Sequence, residues 1–256
     1  MIKLLSIFFS LLTFLQNPRP SREYFRLTIY QFSSIQQQRV TEDYLSNALL
    51  PALHRAGLKN IGVFKPIPSD TAAYGKRLYV LMPVASLEEF SNAEAKVWRD
   101  QQHQKDGETY LNASHKNPPY FRKEVIFMKA FDGMTMLQPS PLKEPRENRI
   151  YELRSYEGPT EKLYKSKVDM FNEGDEVGLF EKLGFNSVFY GEVLFGSKMP
   201  NLMYLTTFKD KADRDRRWKE FFDHPQWKQL LTIDRYKNTV SKADIFLLYP
   251  TSYSDY

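Results

Sequence analysis

The chain contains no cysteine. Disulfides, thiolate nucleophiles, cysteine metal ligands and lipid-modified cysteines are therefore excluded. Histidine is scarce: His54, His103, His115 and His224 are the whole set. None lies in an HExxH pattern and no two share ligand spacing, so neither a metal nor a tightly bound organic cofactor is expected. There is no GxGxxG, no P-loop and no GxSxG elbow around a serine. The net charge of +5 is spread along the 256 residues rather than gathered in one block. With no RNP-like, zinc-knuckle or helix-turn-helix pattern, no nucleic-acid partner is expected.

Long apolar runs are lacking too. Residues 4–15 form an apolar run of 12, whereas a membrane-spanning helix needs about 20. With Lys3 before it, this run reads as a secretory signal peptide, cut somewhere between Thr13 and Pro20. No small-x-small triplet marks the cut, and an N-terminal core strand is the alternative. The signal reading makes the mature chain periplasmic or secreted, with no stable membrane span.

Aromatic residues are abundant: 19 Phe, 16 Tyr and 3 Trp. Residues 24–32 alternate, with Phe25, Leu27 and Ile29 opposite Tyr24, Arg26, Thr28 and Tyr30, which predicts a half-buried strand. A helical pattern over 36–56 ends at Gly57, with Pro51 placed to kink it. Strands follow at 61–64 and 78–84. A capping box, Ser86 with Glu89, opens a helix marked by Leu87, Phe90, Val97 and Trp98. A fourth strand covers 124–131. The order is β-α-β-β-α-β, a ferredoxin-like arrangement.

The same order then recurs. A strand spans 149–156, a largely helical stretch runs from 161 to Gly184, and strands at 187–195 and 202–208 form a hairpin. A helix from Asp210 and a last strand at 240–249 complete it. The two copies keep register: Phe25 and Tyr151 stand 126 positions apart, as do Tyr30 and Tyr156, and Leu78 and Leu202 stand 124 apart. Such offsets indicate a duplication. Gln138 to Asn148, with three prolines and no periodicity, reads as a linker.

The Asp210–Trp227 stretch is the most informative. Asp210 is the expected N-cap, Asp213–Arg217 and Asp215–Lys219 the expected i,i+4 pairs, and Trp218, Phe221 and Phe222 the buried stripe. Pro225 stops the helix near Asp223 and opens a short one carrying Trp227. This Arg-rich helix resembles the C-terminal signature of the NIPSNAP family, through Arg214, Trp218, Phe221, Asp223, Pro225 and Trp227. The likeness extends through RIYELRSYE from Arg149, KVDMFNEG from Lys167, MPNLMYLTTF from Met199 and the final PTSYSDY. REYFRLTIY, LPALHRAG, GVFKP and NPPYFR in the first half are similar to the two-domain bacterial branch. The implied division is a signal peptide at 1–20, a ferredoxin-like repeat at 21–135, a linker at 136–148 and a NIPSNAP domain at 149–256. The resemblance implies an α+β fold in which the two repeats pack as an intrachain dimeric α/β barrel. Related barrels assemble across dimer interfaces, which leaves homo-oligomerisation open.

On strand 149–156, Ile150, Glu152, Arg154 and Tyr156 share one face, and Tyr151 and Leu153 the other. The more apolar face is expected to meet the helices. Glu152 and Arg154 would then lie inside the barrel beside a cavity, with Tyr204 on the same face; a structural salt bridge is the plain alternative. Asn172 and Glu173, ahead of Gly174, break a good helix, which marks either a functional site or a bend. Glu152, Arg154, Tyr156, Asn172, Glu173, Tyr190, Tyr204 and Trp218 are the candidate ligand-binding set, though Trp218 also reads simply as a core anchor. Arg26 and Thr28 stand where Glu152 and Arg154 do, so a site is expected in the second half. No catalytic residue is assigned. The family likeness implies an exported protein of undefined biochemical role that binds a small, partly apolar ligand or a protein partner. The alternative is a cofactor-independent oxygenase or isomerase of the dimeric α/β-barrel group.

Overall fold

A computed structural model describes residues 22–256. The expected signal peptide lies outside them. The first half runs β1 (Tyr24–Gln31), α1 (Ile35–Tyr44), α2 (Leu50–Arg55), β2 (Gly62–Pro66), β3 (Arg77–Val84), α3 (Leu87–Arg99), α4 (Gln101–Asp106), α5 (Glu108–Leu111) and β4 (Arg122–Ala130). The second runs β5 (Ile150–Glu157), α6 (Glu161–Asn172), α7 (Glu176–Lys182), β6 (Ser187–Phe195), β7 (Asn201–Phe208), α8 (Lys211–Asp223), α9 (Pro225–Leu230) and β8 (Lys242–Pro250). Eight antiparallel strands close into one barrel in the order β1-β3-β2-β8-β5-β7-β6-β4. Each half supplies four neighbouring strands, and β2–β8 and β4–β6 are the seams.

The facing of the strands is the reverse of the sequence-based expectation. Tyr151 and Leu153 point into the barrel with Phe25, Leu27 and Ile29, where they form one apolar cluster. Tyr30 packs on the helix side of the first half, and Tyr204 and Tyr156 on the helix side of the second. The expectation put the more apolar face against the helices. In a closed barrel both faces are covered, and the interior has almost no polar partners to offer. The apolar face therefore goes inside. The mixed face goes to the helices, whose own side chains can satisfy it.

Local chemistry sets the element ends. Pro51 cannot donate a hydrogen bond, and the helix absorbs this by winding Leu45–Leu49 as a π turn, with Leu50 N–H donating to the Leu45 carbonyl. Ser86 and Asp210 cap α3 and α8, each accepting from the backbone N–H three residues on. Asp213 pairs with Arg217 at 3.0 Å. Asp215 instead takes Lys211 and Arg214, and Lys219 takes Asp223, so the expected Asp215–Lys219 pair does not form. Phe222 is 52% exposed, outside the buried stripe of Trp218 and Phe221. Leu87 and Trp98 of α3 are likewise exposed. Gly174 separates α6 from α7, where a Cβ would come 2.5 Å from the Met170 carbonyl oxygen.

Candidate functional site

The two halves treat the space between sheet and helices in opposite ways. In the second half it is filled. Glu152 is wholly buried. Its carboxylate accepts from Arg214 Nε and Nη2 at 2.8 Å each, from Arg154 Nε at 2.7 Å and from Trp218 Nε1 at 2.7 Å. Arg154 continues to the Tyr156 hydroxyl at 2.8 Å, which meets the Tyr204 hydroxyl at 2.9 Å. Burial alone would raise the Glu152 pKa. The Arg214 hydrogen bonds and the charges of Arg154 and Arg214 outweigh it and hold the carboxyl below its ordinary value.

Of the other candidates, Tyr190 packs against this cluster through the Tyr204 ring, 5.5 Å away between centroids. Tyr190 meets the Ser187 hydroxyl at 2.5 Å within the aromatic core. Asn172 accepts from Gly133 N–H at 2.8 Å and so braces the turn after β4. Glu173 is exposed and joins none of them. A buried pair missed by sequence reasoning, Lys167 with Glu176 at 2.8 Å, ties α6 to α7.

In the first half the same space is open. A cavity of about 390 Å³ lies between β1/β3 and the helices, reaching from Arg26 and Thr28 to Tyr120 and Lys123. That volume falls within the roughly 300–1,000 Å³ of small-molecule sites. The cause is legible in the duplication. Thr28 pairs with Val80 across β1 and β3, as Arg154 pairs with Tyr204 across β5 and β7. Two small side chains replace an arginine and a tyrosine. Counting from the helix N-caps Ser86 and Asp210, Glu94 stands where Trp218 does. The reading that favoured the second half counted the arginine and tyrosine as site groups, whereas their bulk closes the space.

Tyrosines and one histidine make the buried wall. Tyr44 Oη lies 3.0 Å from His103 Nε2, and its ring stacks on Tyr110 with centroids 3.8 Å apart. Tyr30 meets Tyr120 edge-on at 5.8 Å. Burial raises the pKa values of Tyr30, Tyr44 and Tyr110, so these hydroxyls stay protonated. Burial lowers that of His103 despite the nearby Asp100 carboxylate, which favours the neutral imidazole. The mouth carries charge. Arg26 Nη1 donates to Glu94 Oε1 at 3.0 Å, and the guanidinium sits 4.7 Å from the Phe90 ring centroid. Lys123 pairs with Tyr30 across β1 and β4 and stands at the rim. Of this set, sequence reasoning had Arg26, Thr28 and Tyr30 in hand but not their meaning. Among the described residues no group of three or more His, Cys, Asp or Glu side chains could hold a metal ion.

Residues 151–255 match the NIPSNAP family model. The second half of this chain is a NIPSNAP domain. Its signature Trp218 and Arg214 thus serve here to hold the buried Glu152. No curated protein matches the chain. Among solved structures, a candidate monooxygenase from Lactobacillus acidophilus NCFM is similar at 12% identity and TM-score 0.56, over 90% of this chain and 94% of that one. A candidate monooxygenase from Fusobacterium nucleatum subsp. nucleatum ATCC 25586 is similar at 10% identity and TM-score 0.56, over 91% and 94%. An anthrone oxidase-like protein aligns at 8% identity and TM-score 0.52, over 91% and 92%. At these identities the likeness is one of fold. The NIPSNAP half and its partner half together make a dimeric α/β barrel within one chain.

Proposed function

We propose that this protein binds a small, partly apolar molecule in the cavity of the first half, with the NIPSNAP half as a closed structural counterpart. The observation that carries this reading is the open cavity itself, lying where the duplicate is packed solid. Leu49, Leu53, Val80, Met82 and Val97 supply apolar wall, and the tyrosines supply ring faces. The test is a fluorescence or calorimetric titration with two-ring aromatic probes, repeated on Val80→Tyr. Wild-type binding lost in that variant supports the reading; binding that survives it places the probe elsewhere.

A second reading, favoured by the Tyr44–His103 contact, is an enzyme of the cofactor-independent oxygenase or isomerase kind. A bound phenol or enol that donates to the Tyr44 hydroxyl can pass its proton through that hydroxyl to His103 Nε2, working against the burial that disfavours the imidazolium. The names of the structural neighbours point the same way by analogy of fold alone. Oxygen uptake and product analysis with bound probes would test it, the expected result being activity lost in His103→Gln with binding retained.

We also infer export, from Lys3 and the apolar run of residues 4–15. Mass spectrometry of the mature protein should show the loss of residues up to about Gln16. An intact Met1 on a cytosolic product would overturn export and leave the binding reading untouched.

A further inference from the structure

The cavity and the Glu152 cluster occupy the same place in two copies of one fold, and their charges are inverted. Glu152 on β5 touches Arg214 and Trp218 of α8. Its counterpart on β1 is Arg26, which touches Phe90 and Glu94, the α3 counterparts of those two residues. The strand-to-helix contact has survived duplication while its sign has changed.

The charge balance differs as well. In the NIPSNAP half the chain supplies every partner: the buried Glu152 carboxylate answers Arg154 and Arg214, and Asp215 gives Arg214 a second carboxylate, so two cations meet two anions. In the first half Arg26 has one carboxylate partner, Glu94, which is 47% exposed at the mouth. Arg26 Nε is buried without a hydrogen-bond partner. Lys123 adds a second cation, and Glu94 is the only carboxylate among the residues lining the cavity. The lining is thus one positive charge in excess. Burial holds His103 toward its neutral form, so it does not add to that excess.

We propose that the ligand of this cavity is a planar aromatic monoanion, a carboxylate or phenolate, with its charge at Arg26 and Lys123 and its ring among Tyr30, Tyr110 and Tyr120. The anion supplies from outside what Glu152 supplies from within the chain in the other half. Planar acceptors match a guanidinium, and rings enter between tyrosine faces with little loss of freedom on the protein side. This assignment rests on the cavity reading above and adds the ligand's charge and the residues that select it.

The experiment is calorimetry on the full chain with 2-naphthoate and its neutral amide, 2-naphthamide. Naphthoate is expected to bind at least about tenfold more tightly, as for charge-assisted hydrogen bonds. Glu94→Gln removes a competing carboxylate from the exposed mouth, so it is expected to strengthen naphthoate binding several-fold and leave naphthamide unchanged. Arg26→Gln is expected to abolish the preference, with circular dichroism checking the fold. Should Arg26→Gln fail to fold, the Glu94→Gln comparison still decides. Equal affinities for the two probes, or no response to Glu94→Gln, would overturn the charge assignment and leave the cavity reading standing. Failure of both probes to bind, or binding unchanged in Val80→Tyr, would overturn the cavity reading itself.

Discussion

The Arg154 guanidinium lies 3.6 Å from the ring centroid of Trp218, and both groups donate to the same Glu152 carboxylate. The indole thus covers the cation on one side and binds its counterion through Nε1–H. This makes Trp218 more than a core filler. Trp218→Ala should destabilise by about 3–5 kcal/mol, as for aromatic truncations in cores. Chemical denaturation measures this, and a loss under 1 kcal/mol would remove Trp218 from the core.

Removing the carboxylate charge should be as damaging. Glu152→Gln leaves Arg154 and Arg214 beside a neutral group, and breaking a buried pair costs about 3–5 kcal/mol. Denaturation of this variant against wild type is the check.

The same group predicts an acid limb. Its folded pKa is depressed, so its stabilisation is complete above the ordinary glutamate value of about 4.3 and fades as pH falls through the folded value. Wild-type stability should decline below about pH 4.3, and Glu152→Gln should show a shallower decline there. Parallel slopes would contradict the assignment.

His103 gives a separate, milder trend. Its folded pKa is also depressed, so above about 6.5 the folded and unfolded forms bind the same protons, and below it the unfolded chain binds more. Stability should fall as pH drops through that region, and His103→Gln should remove this component. In an NMR titration the His103 ring should remain neutral at a pH where a free imidazole is half charged, about 6.5.

Neighbouring aromatics on α8 should behave oppositely. Phe221 is buried and Phe222 is 52% exposed. Phe221→Ala should cost about 3–5 kcal/mol, whereas Phe222→Ser should stay within about 0.5 kcal/mol, by denaturant titration of each.

The duplication, the element order and the barrel were legible because periodicity, caps and constant offsets are local signals. Asp210, Ser86, Gly184 and Pro225 each act within a few residues of themselves. Strand facing was not legible, because it depends on what covers the second face. Tyr151 and Leu153 look like a helix-side pair until the barrel interior demands the more apolar set. The open site was missed for a related reason. Thr28 and Val80 carry no chemistry of their own, and their importance is the volume that Arg154 and Tyr204 occupy in the other copy. His103, on a short helix without a counterpart pattern, gave no sequence signal beyond its rarity.

The closing of the barrel by one chain has a consequence for how its sites change. When two identical chains close a barrel, every substitution appears twice, and a mutation that fills one site fills both. Here the seams β2–β8 and β4–β6 join two different sequences. One site can harden into a brace while the other stays hollow, and each can drift under its own selection. An asymmetric barrel of this kind keeps the first-half cavity in surroundings of its own, and no symmetry ties the residues lining it to those of the brace.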